Sequence, residues 1–428
     1  MSLFTKGISK GVATGIGISS GVASTFHSPA AEKIVTSTIA RFLPDGLGDS
    51  LVEMTDIIHK LFPELSVVDI RITLSVLAIL QYRSTKPVYE IRKYQSAEDS
   101  PIAKSFVYFM KYATAAYGRT PLIDKASLLS SSDRDWIRTH TGLAFEKVYP
   151  YIDSRAVSGR HMLEHYVAVD DAQKSVILAL KGTLTVEGAM KDLRSSYSNV
   201  EVWNRHFDVH TGMWKAAQDL ISFPSLLAQV TQELKANPDY KLVVLGHSLG
   251  GGVAILVAAL LAAEPTGAEF LTNSITFPGR RIVCYGFEPA ASIDEEFAKM
   301  AKALMYTVVN KNDIVPSLSH GAILDFKIAA LKLKSDPDYL ATIIDGLLTN
   351  RLNADKELNY LRSLAKNKKL VPGGRVWAMD MDDRGKLEIG EVLNVNQRFG
   401  EARFILGMII HHTPADCVTS LATLLELE

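Results

Sequence analysis

The residues with the clearest chemical potential are a serine and the glycines around it. In Lys241-Leu-Val-Val-Leu-Gly246-His247-Ser248-Leu249-Gly250-Gly251-Gly252, a G-x-S-x-G pentapeptide follows an apolar stretch and opens a run of small residues. Strand, sharp turn, then helix is the context in which such a serine becomes an exposed nucleophile. Side chains at 246 and 250 would collide with neighbouring backbone in so tight a turn, and glycine removes the collision. The Ser248 hydroxyl is then lifted clear of a sheet, at a helix N-terminus whose dipole favours developing negative charge.

A serine nucleophile needs a base, and the base needs an acid to orient it. In chains built around this elbow the order is serine, acid, histidine. Asp313, in Asn310-Lys-Asn-Asp313-Ile-Val-Pro316, lies just past an apolar strand pattern and is the candidate acid. Asp294 and Asp325 are rivals, but each falls in a helix start or interior. Three histidines follow Asp313: His320, His411 and His412. His320 is too near the acid in sequence, so the base is one of the last two. An oxyanion needs two donors. The Leu249 amide is one, as the residue after the nucleophile. The other is expected from the strand-to-helix loop at Lys181-Gly182-Thr183, where Thr183 offers an amide and a hydroxyl.

Several elements must position these groups. His165–Asp170 and Ser175–Leu180 read as paired strands, and Lys241–Leu245, Ile282–Phe287 and Leu304–Val309 as short buried ones. Ser105–Tyr117, Met213–Ala236, Leu249–Ala263 and Asp294–Lys302 read as helices. Strands alternating with helices imply a mainly parallel sheet covered by helices on both faces. Residues 32–99 form a helical N-terminal region, and 100–428 form the main domain. Within the latter, 320–369 is charged, strandless and helical in pattern, and reads as an insertion. Gly373–Val395 reads as a hairpin turning at Asp383–Gly385. Its Asp380 to Glu391 stretch imitates a calcium loop, but position 5 is Arg384 and the flanks read as strands, so a hairpin tip is the expectation.

The chain has 428 residues, with 46 Lys+Arg against 47 Asp+Glu, a net charge of −1 that offers no basic footprint for nucleic acid. Two cysteines, Cys284 and Cys417, are too few for a disulfide framework or a cysteine zinc site. No stretch reads as a membrane span or a secretory signal, so an intracellular location is expected, cytoplasmic or peripheral to a membrane. Residues 1–31 carry no acid and repeat Phe4, Ile8, Val12 and Ile16 on one helical face. They are expected to touch a membrane or lipid-droplet surface.

Taken in order, Leu178-Ala-Leu-Lys-Gly182-Thr183, Asp192-Leu193, His210-Thr-Gly212, Gly246-His247-Ser248-Leu249-Gly250-Gly251, Cys284-Tyr-Gly-Phe-Glu-Pro289, Asn312-Asp313-Ile-Val-Pro316 and His411-His412-Thr-Pro414 resemble the class 3 lipases. Within them the pattern is similar to the sn-1-specific diacylglycerol lipases. The resemblance implies an α/β-hydrolase fold and hydrolysis of acylglycerol esters. It also places the base at the residue before Thr-Pro, hence His412. The expectation is a serine-dependent lipase of glycerolipids, diacylglycerol first, with Ser248, Asp313 and His412 as triad and Thr183 and Leu249 at the oxyanion. It requires no cofactor and no metal. The alternatives are a tri- or monoacylglycerol lipase or a phospholipase A1. From another class comes a catalytically inactive, lipase-like interaction module.

Overall fold

A computed structural model of the chain describes residues 29–84, 91–93, 101–118, 133–149, 163–183, 188, 196–265, 272–382 and 384–426. Of residues 1–31, which carry the lipid-surface expectation, 1–28 lie outside the described residues, as do Asp192 of the family pattern and Asp383 of the hairpin turn. The described chain opens with helices α1 (Pro29–Ala40), α2 (Leu47–Leu61) and α3 (Val67–Arg83), then β1 (Ile91–Lys93), α4 (Pro101–Ala115) and α5 (Asp133–Thr141). Next come β2 (His165–Asp170), β3 (Ser175–Leu180), β4 (Tyr197–Val202), β5 (Arg205–His210), α6 (Thr211–Ile221), α7 (Pro224–Ala236), β6 (Lys241–His247) and α8 (Leu249–Leu261). They are followed by β7 (Thr272–Asn273), β8 (Arg281–Phe287), α9 (Glu295–Met300), β9 (Met305–Asn310), α10 (His320–Ser335), α11 (Pro337–Leu348) and α12 (Ala354–Leu364). The chain closes with β10 (Arg375–Met381), β11 (Leu387–Val392), α13 (Val395–Phe399) and α14 (Pro414–Glu426). These elements fall into two compact units.

The larger unit is built on a sheet ordered β1-β11-β10-β9-β8-β6-β3-β2, with β7 on β8 off this path. The five central strands, β10, β9, β8, β6 and β3, are parallel. β2 and β11 add antiparallel edges, and β1 pairs with β11. Every residue of β3 and β9 is buried, as a parallel strand covered on both faces requires. Alternate residues face opposite sides. Ile177, Ala179, Val243, Leu245 and Tyr285 join Phe106, Phe109 and Tyr112 of α4 and Leu421 of α14 in one core. Leu178 and Leu242 turn the other way, toward Leu220 of α6, Leu226 of α7 and Val257 of α8. A mainly parallel sheet sandwiched in this way is the α/β-hydrolase architecture.

One local reading is corrected and one element is added. The helix expected over Met213–Ala236 is two helices, α6 and α7, with Pro224 at the first turn of α7. Proline there lacks the N–H that would continue α6 and clashes with the preceding turn. The hairpin β4–β5 was not foreseen. Its strands mix polar, partly exposed residues with the buried Val202, Phe207 and Val209, and its turn is Trp203-Asn204, both at positive φ (54° and 57°). That is the backbone of a tight two-residue hairpin made without glycine. The second hairpin, β10–β11, is present in antiparallel pairing. At its tip the Asp382 carboxylate accepts the N–H groups of Arg384 and Lys386, each at 2.8 Å.

The smaller unit gathers the N-terminal helices with residues 324–366 and 404–406. This departs from the expected boundary, which assigned the whole insertion to the main domain. The reason lies in α3. Nine of its residues are buried, spread around the helix rather than along a stripe. Such a helix needs cover on several sides. Beside α1 and α2, α12 supplies it, burying Ala354, Leu358 and Leu361. Ser66 and Asp69 form a reciprocal capping box at the start of α3 (3.1 and 3.2 Å), and Ser84 at its end donates to Asp355 at 2.6 Å. Among the described residues no helix is long and apolar enough to cross a membrane.

Candidate active site

Ser248 stands at the junction of β6 and α8 with φ 57° and ψ −127°, a conformation costly for any residue but glycine. Packing enforces it. A Cβ on Gly246 would lie 2.4 Å from the Gly250 carbonyl carbon, and one on Gly250 would lie 2.4 Å from the Leu180 oxygen. Hydrogen bonds lock the turn. The Ser248 N–H donates to Phe287 O (3.0 Å), while Ser248 O accepts from Gly252 (3.0 Å) and Ala290 (3.1 Å).

His412 Nε2 lies 2.8 Å from Ser248 Oγ, and its Nδ1 lies 2.9 Å from Asp313 Oδ2. All three side chains are buried. Asp313 follows β9, at the carboxyl end of the parallel strands. Its other oxygen accepts the Val315 N–H at 2.9 Å. The acid loop also holds the segment that carries the histidine. Asn310 Nδ2 donates to His411 O (3.1 Å) and to Asp416 Oδ2 (2.7 Å), and the Ile314 N–H donates to Met408 O (3.2 Å). His411 points elsewhere, accepting the Asn312 N–H at 3.2 Å. The rival acid Asp294 caps α9, accepting the Phe297 N–H at 2.9 Å. His320 begins α10 and packs edge-on to Tyr197.

The Lys181-Gly182-Thr183 loop leaves β3 and runs against the elbow. A Cβ on Gly182 would lie 3.2 Å from Ser248 Cβ. Thr183 Oγ1 is buried and has no hydrogen-bond partner among the described residues. Leu249 opens α8, so its N–H has no acceptor within the helix.

Three side chains that the sequence reading left without a role complete the surroundings. His247, the residue before the nucleophile, lies 2.7 Å from Glu288 Oε2 through Nε2 and 2.6 Å from the Tyr117 hydroxyl through Nδ1. All three are buried. Burial, with His412 alongside, holds the imidazole well below its ordinary pKa. Burial, with Asp313 nearby, pushes the Glu288 carboxyl well above its own. The Tyr117 phenol is raised by burial and by Glu288. Glu288 also sits at φ 49°, uncommon for a non-glycine residue. His247, Glu288 and His412 offer ligand atoms within 4.8 Å of one another. Both nitrogens of each imidazole are already hydrogen-bonded, so the cluster is built for protons rather than a cation.

Residues 177–322 match the family model for lipase (class 3). The chain is similar to class 3 lipases over this segment. The matched segment contains Thr183, Ser248, Leu249 and Asp313, whereas His412 lies beyond it. Rat diacylglycerol lipase-alpha is 25% identical over 176 residues, which cover 38% of this chain and 15% of that protein. The secreted mono- and diacylglycerol lipase 1 of Fusarium solani is 29% identical over 123 residues, 26% of this chain and 36% of that protein. The match therefore spans well under half of either relative's length. A crystal structure of a lipase from Rhizopus microsporus var. chinensis superimposes with a TM-score of 0.45 and 16% identity over 78% of this chain and 90% of that one.

Proposed function

We propose that the protein is a serine-dependent lipase that hydrolyses acyl esters of glycerolipids. One observation carries the reading: a buried chain from hydroxyl through imidazole to carboxylate, 2.8 and 2.9 Å long, whose hydroxyl belongs to a strained elbow. In this reading Ser248 attacks the ester carbonyl while His412 takes its proton. His412 then gives that proton to the departing alcohol, and Asp313 orients the ring and supports the imidazolium. The oxyanion takes the N–H groups of Leu249 and Thr183 together with the unpartnered Thr183 hydroxyl. Water repeats the cycle on the acyl-enzyme. His412 carries the base role over His411 because only its ring reaches Ser248.

Diacylglycerol is the proposed substrate. The support is the relatives named above, a diacylglycerol lipase and a mono- and diacylglycerol lipase. Contact with a lipid surface belongs to the same proposal, since such substrates reside there. The test is fatty-acid release from mono-, di- and triacylglycerol and from phosphatidylcholine, each compared with Ser248→Ala. Release from diacylglycerol that stops in the variant supports the reading. Release that persists in the variant removes Ser248 from it.

A further inference from the structure

Behind the elbow, protons must be distributed along Glu288, His247, Tyr117 and the Thr183 carbonyl. The spacings are 2.7 Å from Glu288 Oε2 to His247 Nε2, 2.6 Å from His247 Nδ1 to the Tyr117 hydroxyl and a longer 3.4 Å from that hydroxyl to Thr183 O. The carbonyl can only accept, so where both contacts of the Tyr117 oxygen are hydrogen bonds its single proton points at Thr183. The phenolic oxygen then accepts, and His247 donates from Nδ1. Two states of the far end satisfy this: an imidazolium beside a carboxylate, or a neutral imidazole that accepts at Nε2 from a protonated Glu288.

The surroundings choose between them. A buried ion pair survives only when its remaining polar atoms are satisfied. Glu288 Oε1 has no hydrogen-bond partner among the described residues, the Glu288 side chain is fully buried, and the only further donor to this carboxyl that the described residues supply is the weak thiol of Cys417. The groups that face Glu288 are Asp313 and Lys311 beside β9, Asp416 and Cys417 of α14, and the rings of His247 and His412. A carboxylate here would stand near two others, and an imidazolium at 247 would stand 5.0 Å, centroid to centroid, from the ring that must itself become cationic. The directions in which burial moves both groups agree with the neutral state.

Resting on the lipase reading above, we infer that protonated Glu288, neutral His247 and Tyr117 form an uncharged hydrogen-bonded chain that positions the Thr183 carbonyl, and with it the loop that serves the oxyanion. The loop is fitted to this chain: a Cβ on Gly182 would lie 2.3 Å from His247 O and 2.5 Å from the Tyr117 hydroxyl. The three are positioning residues, since they reach the reacting atoms only through Thr183 and the elbow. The inference also accounts for a left-handed Glu288. That backbone, fixed by its N–H donating to Val308 O at 2.8 Å, aims the carboxyl under β6.

The test compares Glu288→Leu, Glu288→Gln and Tyr117→Phe in the full chain. Glutamine keeps a neutral donor toward His247 and leucine does not. We expect kcat to fall by about 10²-fold in Glu288→Leu and about tenfold in Tyr117→Phe, with KM little changed, because the oxyanion donors shift. Glu288→Gln should recover most of the loss, with the pH dependence of kcat/KM in place. Infrared difference spectra, wild type minus Glu288→Gln at neutral pH, should show the C=O stretch of one protonated carboxyl, and this readout stands even where the leucine variant does not fold. Absence of that band, or a glutamine variant as poor as leucine with a displaced pH profile, would mean that Glu288 is an anion and overturns the inference. The band is independent of turnover, so a protein without lipase activity would sink the lipase reading and leave the proton assignment decided on its own.

Discussion

Two imidazoles stand 5.0 Å apart, and each bridges a hydroxyl and a carboxyl. His412 joins Ser248 to Asp313, and His247 joins Tyr117 to Glu288. The carboxyls differ. Asp313 accepts a backbone N–H from Val315 as well as the ring, the support that a triad acid needs when its histidine turns cationic. Glu288 has the ring, the weak thiol donor of Cys417 and no backbone N–H, and its Oε1 has no hydrogen-bond partner among the described residues. Near-identical residue types therefore do different work, and since both carboxyls are buried the difference is the backbone N–H donor at Asp313. In the first chain a proton is meant to move during turnover; in the second it is meant to stay.

The largest expected effect breaks the first chain. Ser248→Ala or His412→Ala should each lower kcat by about 10⁶-fold if the triad acts as a unit, with far-ultraviolet circular dichroism unchanged. His411→Ala should keep most activity, because its ring accepts the Asn312 N–H rather than bonding Ser248. If His411→Ala is the dead variant, the base has been placed one residue off. Next in size is Thr183→Val, which keeps shape and removes the unpartnered hydroxyl. A loss of about 10²–10³-fold in kcat is expected. A loss under about threefold assigns the oxyanion to the amides alone.

The smallest effect sharpens the second chain and is read in stability. Glu288 is pushed above its ordinary 4.5 by burial and by Asp313. The folded protein then keeps a proton that the unfolded chain releases above 4.5, so this group costs stability progressively as pH rises from there. Glu288→Gln removes that cost. The melting-temperature difference, variant minus wild type, should therefore increase with pH between about 5 and 8. His247, depressed below 6.5 by burial, loses stability in acid instead, and it does so in both proteins. A difference that falls with pH would show that the folded state prefers the Glu288 carboxylate.

The two chains were not equally legible in the sequence. Ser248 announced itself because an elbow is local: glycines on both sides, an apolar strand before and small residues after. The sheet was legible where both faces are covered, since β3 and β9 are unbroken apolar runs apart from Thr307 and the terminal residues Ser175 and Asn310. The hairpin β4–β5 was not, because its alternation is short, Val200-Glu201-Val202 and Phe207-Asp208-Val209, and its turn at Trp203-Asn204 carries no glycine. The two-unit division escaped for another reason: the cover for α3 comes from α12, far along the chain. Tyr117 and Glu288 were opaque because they reach His247 across 130 and 41 residues, and nothing local marks a tyrosine or a glutamate as buried. Between His411 and His412 the residue pattern alone left both open, and the family resemblance favoured His412.

The most direct test of the account is labelling with a fluorophosphonate probe, followed by mass spectrometry of the modified peptide. The account predicts one adduct, on Ser248 within Lys241–Gly252, formed readily by the wild type and by His411→Ala and absent or much slowed in His412→Ala. An unlabelled Ser248 in folded protein, or equal labelling in His412→Ala, would contradict it.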